Sequence, residues 1–380
     1  MPKLNATHAG SRGVTQVIKE LSREHEIYLV TRAEEIELDD VEEIRKYCKE
    51  IYLFPYKRIR NRNLLTILRI ILSFLQYGLR VNKIVAANKF DIMHAEWVES
   101  AILLRKKQIP MILVANDVLT KVSERRLLAS KGLSRALNYL EYFLIKKLEI
   151  YCVRKFDFVF TRSDSDKDYL LKMDPKLKVS FLPPPAGFNF VDKKVDREEN
   201  VILFLGSFRD HDLNIKSVLY FYNKIFPLIK SRITNVKLYI VGYGPTKEIL
   251  EIPEKDKNVI VTGFIEDIES YYKKATVFVA PILIGGGIIT KILDAMAAGT
   301  PVVSTRFGNE GIGATDNLNI LLADSPLDFA DGVIRLLTDK ELWMRISKES
   351  HVFVSKKFTL EVLKDILNDT YRDVLNDTYK

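Results

Sequence analysis

The chain has 380 residues, enough for two cores of ordinary size. A hydrophobic content of 47% with 28% charged residues excludes a disordered chain, two cysteines exclude a disulfide framework, and five scattered histidines show no zinc-type spacing. The net charge is +8, but residues 1–190 hold 33 Lys and Arg against 23 Asp and Glu, so the excess lies in the first half, which is expected to face something anionic.

The first residues, MPKLNATH, are too polar for a strand and contain no apolar leader segment. AGSRG (residues 9–13) follows and leads into the helical pattern VTQVIKELSREH, as a glycine loop does after the first strand of a doubly wound sheet. That first strand is normally central. Its lack means either that the chain starts downstream of it or that another segment takes its place. Strands are then expected at 26–31, 51–54, 91–95, 110–115, 157–161 and 179–183, alternating with helical patterns.

Residues 51–90 contain eight Lys and Arg and no acidic residue, flanking LLTILRIILSFLQYGL (64–79). That run is too short, and with Arg69 too charged, to span a bilayer. It reads either as a basic amphipathic helix on an anionic membrane surface, through residues 56–90, or as a core-facing helix with basic flanks.

PPPAGFN (183–189) and the charged run after it end the first half. A second strand series follows at 201–206, 236–242, 258–263, 276–281, 301–305 and 319–323. Nearly continuous apolar strands between helices indicate parallel sheets covered on both faces. The expected architecture is α/β, with two doubly wound Rossmann-like domains facing a cleft and the first strand of the N-terminal domain missing. The expected divisions are 1–185, a linker at 186–199, 200–357, and a C-terminal helix at 358–380 packing back toward the first domain.

GGGIITKILDAMAAGTPVVST (285–305) carries the chemistry. Glycines after a parallel strand let backbone N–H groups at a helix start approach a phosphate, and Lys291 and Asp294 lie on roughly one face of that helix. The pattern is equally that of a plain turn with a solvated Asp–Lys pair. No glycine fingerprint with a distal acid suggests a dehydrogenase, no paired carboxylates suggest an epimerase, and no motif suggests nucleic-acid binding.

The string GGGIITKILDAMAAGTPVVSTRFGNEGI resembles the signature region of the group 1 (family 4) retaining glycosyltransferases, which adopt the GT-B fold. FLGSFRDHDLNIKSVLYFYNKIFPLI, LYIVGYGP and VTGFIEDIESYYKKATVFVAP are similar to successive segments of the family's donor domain. FDFVFTRSDSDKDYL and VSFLPPPAGF resemble the end of its acceptor domain. The resemblance implies an enzyme, cytoplasmic or peripheral on the inner face of the membrane, that moves a sugar from a nucleotide sugar to a glycan or lipid-linked acceptor. It implies no metal or other cofactor.

Residue by residue, the resemblance puts the family's ribose-binding acid on Asp294 and its first acid on Gly286, where the carboxylate is lost. Gly285, Gly286 and Gly287 would offer backbone N–H groups instead, with Lys291 as the phosphate's cation. Gly206 and Arg209 would line the diphosphate, and backbone groups at Gly263, Phe264 and Ile265 would read the nucleoside. Gly10 and Gly13 match the glycine loop of the acceptor domain. Asn116 and Asp117 fall where family members often carry a histidine against the donor sugar. His94 reads either as an acceptor-side residue or as a structural histidine. The losses at Gly286 and Asn116 also allow a weakened or non-catalytic sugar-binding protein.

Overall fold

The computed structural model describes residues 9–33, 39–56, 64–106, 109–187, 197–209, 211–284 and 287–378. The chain divides into two compact units, Met1–Pro183 with Leu360–Lys380, and Pro184–Thr359.

In the first unit β1 (Tyr28–Ala33) and β2 (Glu50–Pro55) form a two-stranded parallel sheet. A separate parallel sheet holds β3 (Met93–Glu96), β4 (Met111–Ala115), β5 (Phe158–Thr161) and β6 (Val179–Phe181), in that order. The single sheet expected from the sequence is thus in two pieces. Among the described residues no strand precedes β1. Side chains close the break: Leu29 and Ile51 pack with Val14, Ile18, Ile44 and Trp97, while Val30 joins the core of β3 and β4.

The glycine loop expected at 9–13 is not a loop. Ala9–Leu21 is one helix that contains both Gly10 and Gly13, and a Cβ on Gly13 would meet nothing within 4 Å. Ala and Arg carry the helical pattern of the following residues back to Ala9 through both glycines. Val14, Val17, Ile18 and Leu21 form its buried stripe. The C-terminal helix Leu360–Thr378 belongs to this unit, burying Leu363, Leu367, Tyr371 and Val374 beside Val17, Leu21, Ile112 and Phe160.

The second unit holds one six-stranded parallel sheet. Its strands are β7 (Val201–Leu205), β8 (Lys237–Val241), β9 (Val259–Gly263), β10 (Val277–Ala280), β11 (Val302–Ser304) and β12 (Leu321–Leu322), in the order β12-β11-β10-β7-β8-β9. Successive strands step outward from β7 on one side, and β10 restarts on its other side. The strand order therefore reverses between β7 and β10, and a crevice opens there at the carboxyl ends of the strands. Phe221, Phe226 and Phe329 are fully buried beneath the sheet, each worth about 2 kcal/mol of apolar burial.

Candidate active site

At the carboxyl end of β7 the chain turns at Gly206, and the loops after β8 and β9 are tied to it. Gly206 N–H donates to Val241 O, Phe208 N–H to Tyr243 O, and Gly242 N–H to Gly263 O. Gly242 is required: its φ is 150°, and a Cβ there would lie 1.8 Å from Gly206 O. The glycines of these turns bring three main-chain segments together at one edge of the sheet.

The loop after β10 enters the helix Thr290–Ala297, closed by a bond from Thr300 N–H to Ala295 O beyond Gly299. Gly285 and Gly286 lie outside the described residues. Gly287 adopts a left-handed φ of 71°. Arg197 seals the other end of the helix, donating to Ala298 O, Gly299 O and Thr300 Oγ1 while its guanidinium lies on the Trp343 ring. A cation at a helix C-terminus meets the negative end of the backbone dipole.

Lys291 is the cation at the reversal of strand order. Its Nζ donates to Leu205 O at 2.9 Å and to Asn214 Oδ1 at 3.0 Å, over the Phe204 ring. The helix after β10 is thereby pinned to the end of β7. Burial lowers the Lys291 pKa to about 8, so a negative ligand beside it restores a charge that the protein alone stabilises poorly. Asn214 also donates to Ser207 O, which fixes the side of its amide that faces the lysine.

Asp294 is buried, and its Oδ1 accepts a 2.6 Å bond from Gly187 N–H. Part of its capacity is therefore spent within the protein. Arg209 is exposed and lies on the Tyr243 ring, with its guanidinium bonded to the phenol oxygen. Phe264, half-exposed beyond Gly263, meets Tyr243 edge-on, and Ile265 follows it. Gly206, Arg209, Gly263, Phe264, Ile265 and Lys291 thus gather at one edge of the second unit's sheet, as the sequence reading grouped them.

The corresponding edge of the first unit is built from side chains. Asn116, just beyond β4, donates to Glu96 Oε2 at 2.7 Å and accepts from Arg162 Nε at 2.9 Å. Both ends of its amide are occupied, which leaves little for a sugar hydroxyl. Arg162 Nη2 lies 3.7 Å from Glu96 Oε2, and His94 Nε2 lies 3.4 Å from Glu96 Oε1. His94 Nδ1 is hydrogen-bonded to Tyr371 Oη at 2.5 Å, so this histidine ties β3 to the C-terminal helix.

Burial pushes the Glu96 carboxyl up, but His94, Arg162 and Asn116 together bring it below the ordinary carboxylate range. Asp117 stands next to this network with its side chain reaching solvent. Burial of its surroundings, then Asp166 and Glu99, push its pKa up to about 6. Asp166 in turn accepts from the buried Lys121 at 2.8 Å.

Three members of these sites escaped the sequence reading. Glu96 was readable, since His94 and Glu96 are two apart on β3 and share one face. Arg162 follows the apolar strand β5 directly, an unusual place for a charge. Asn214 carries no signal in the sequence, because only the fold brings it to Lys291.

Comparison with known proteins places this geometry. Residues 199–339, most of the second unit, match the family described as Glycosyl transferases group 1. Over 349 residues the chain is 25% identical to a Klebsiella pneumoniae protein described as "Uncharacterized 44.6 kDa protein in cps region", covering 87% of each. Sucrose-phosphate synthase from Thermosynechococcus elongatus superimposes with a TM-score of 0.73 at 17% identity, over 97% of this chain and 94% of that one. Alr3699/HepE from Anabaena, solved in complex with UDP, gives 0.67 at 10% identity over 98% of both chains. The fold is that of the GT-B glycosyltransferases, and the chain is a glycosyltransferase. Within it, the part that matches Glycosyl transferases group 1 is residues 199–339.

Proposed function

We propose that the chain transfers a sugar from a nucleoside-diphosphate donor to a glycan or lipid-linked acceptor, with retention of anomeric configuration and without a metal ion. The observation that carries this is Lys291, a part-buried cation held beside the start of the helix Thr290–Ala297, where strand order reverses between β7 and β10. The first N–H groups of a helix have no partner within it, and its dipole places positive potential there. Together with Lys291 they suit a diphosphate.

In this reading the bond between the anomeric carbon and the diphosphate oxygen breaks toward Lys291, and negative charge grows on the leaving oxygen. A fixed donor aimed at such charge is worth about a hundredfold or more in rate. The leaving phosphate accepts the proton of the incoming hydroxyl on the same face of the sugar, so no protein nucleophile is needed. Arg209 lines the diphosphate, backbone groups at Gly263, Phe264 and Ile265 read the nucleoside, and Asp294 binds the ribose. UDP bound to the Anabaena protein supports a nucleoside diphosphate as the leaving group.

The first unit holds the acceptor, and its basic stretch at residues 56–90 brings it to an anionic membrane where lipid-linked acceptors reside. The four cations expected to lead that contact, Lys57, Arg58, Arg60 and Arg62, lie outside the described residues. No described helix is long and apolar enough to cross a membrane.

A second reading, a sugar-binding protein with weakened catalysis, is favoured by one observation: the Asn116 amide is spent on Glu96 and Arg162. One experiment separates the two. Incubation with UDP- and GDP-sugars, with and without EDTA, should release nucleoside diphosphate at the same rate in both conditions. The transferred sugar should keep the donor's anomeric configuration by NMR. Binding without release supports the second reading. Inhibition by EDTA or an inverted product refutes the proposed mechanism.

A further inference from the structure

The helix Leu133–Val153 is turned inside out. Leu137, Leu140, Leu144, Leu148 and Tyr151 recur at spacings of three and four along one face, and each is 50–64% exposed. Its inward side carries Glu149, whose carboxylate accepts the N–H groups of Leu119 and Thr120 at the start of the neighbouring helix Leu119–Ala129. Single exposed leucines are ordinary, but a file of apolar side chains along about four turns is not.

The helix Leu64–Ala87 continues the same surface, exposing Leu72, Leu75 and Leu79. One groove of about 450 Å³ joins the two, with Leu75 and Leu79 on one wall, Leu103 between, and Tyr151 and Lys155 on the other. Cations border it. Lys147 lies over the Phe143 ring at 4.4 Å and Lys155 over the Tyr151 ring at 4.3 Å. Arg80 and Lys83 are exposed nearby, while Arg154 is paired with Asp174. Glu141, the acid on this helix that reaches solvent, is bonded to Arg126.

We propose that this two-helix face, centred on Leu133–Val153, is the surface by which the first unit lies on an anionic bilayer. The inference rests on the membrane reading above but moves the contact from the basic stretch alone to a leucine face rimmed by cations. Leucines and tyrosines enter the interface while the lysine and arginine heads meet lipid phosphates. A second copy of the chain fits less well, because a two-fold contact would set one cationic rim against the other.

The test is flotation of the full-length protein with vesicles of equal parts phosphatidylglycerol and phosphatidylcholine at low salt, with its mass in solution measured alongside. The parent should float, and the pair Leu140→Glu with Leu144→Glu should lose at least tenfold in vesicle affinity. The pair Lys83→Glu with Lys147→Glu, which changes no leucine, should lose about tenfold and guards against misfolding of the first. Nucleoside diphosphate release from a soluble donor should be unchanged in both.

Equal flotation of the parent and both variants overturns this face. If Lys57→Glu with Arg58→Glu abolishes flotation in that case, the broader membrane reading still stands. A parent that ignores the vesicles, or a parent dimer that the leucine variants split, also overturns the proposal.

Discussion

The carboxyl edges of the two larger parallel sheets solve the same problem with different materials. In the second unit the edge is made of backbone: glycine turns after β7, β8 and β9 close on one another, and one lysine stands among them. In the first unit the edge is made of side chains, with His94, Glu96, Asn116 and Arg162 linked in a partly buried network. A backbone edge leaves N–H groups at a helix start for a ligand to use. A side-chain edge consumes its own donors and acceptors, and so holds structure more than it offers chemistry. The difference teaches that the edge of the second unit is prepared for an anion, while that of the first keeps its charges in balance.

Removing a charge should therefore hurt the two edges in different ways. The largest effect is expected from Glu96→Ala, which strands the Arg162 guanidinium, whose side chain is 8% exposed. Breaking one partner of such a pair costs about 3 kcal/mol, read as a lower denaturant midpoint with an unchanged slope. A loss below about 0.5 kcal/mol, the scale of an exposed pair, would show that the network is a surface feature.

Next in size is Asp294→Ala. It should weaken nucleoside diphosphate binding several-fold by calorimetry and lower stability, because it removes the acceptor of the Gly187 N–H. Unchanged affinity with lowered stability would assign Asp294 to structure alone.

The smallest effect concerns Asp117. A carboxyl whose folded pKa is raised to about 6 costs stability as pH rises from its ordinary value toward 6 and beyond. Asp117→Asn should raise the Tm slightly at pH 7 and leave it unchanged under acid conditions where the parent carboxyl is protonated in both states. A lower Tm at pH 7 would mean that the ionised carboxylate has a stabilising partner.

The same contrast governs what the sequence made legible. Gly206, Gly242, Gly263 and the helix after β10 were readable because glycines punctuate strands in order along the chain, and strand periodicity located every sheet element. The first unit's network was not, because its members come from β3, β4, β5 and the C-terminal helix, and nothing local ties Tyr371 to His94 across 277 residues. Gly10 and Gly13 misled for a related reason. A glycine pair can lie within a helix as well as in a turn, and here the helix simply runs through both. Asn116 follows β4 directly, but only the structure shows how fully its amide is occupied.

The central claim is that Lys291 is held at the reversal of strand order to meet a departing diphosphate. Its most direct test is the rate of nucleoside diphosphate release from an accepted sugar nucleotide, followed across the alkaline range for the parent and for Lys291→Met. The account predicts that the parent's kcat/KM falls as pH rises through about 8, where Lys291 loses its proton. The variant should be about a hundredfold slower, with that alkaline limb gone. A variant as fast as the parent, or one that keeps the limb, would contradict it.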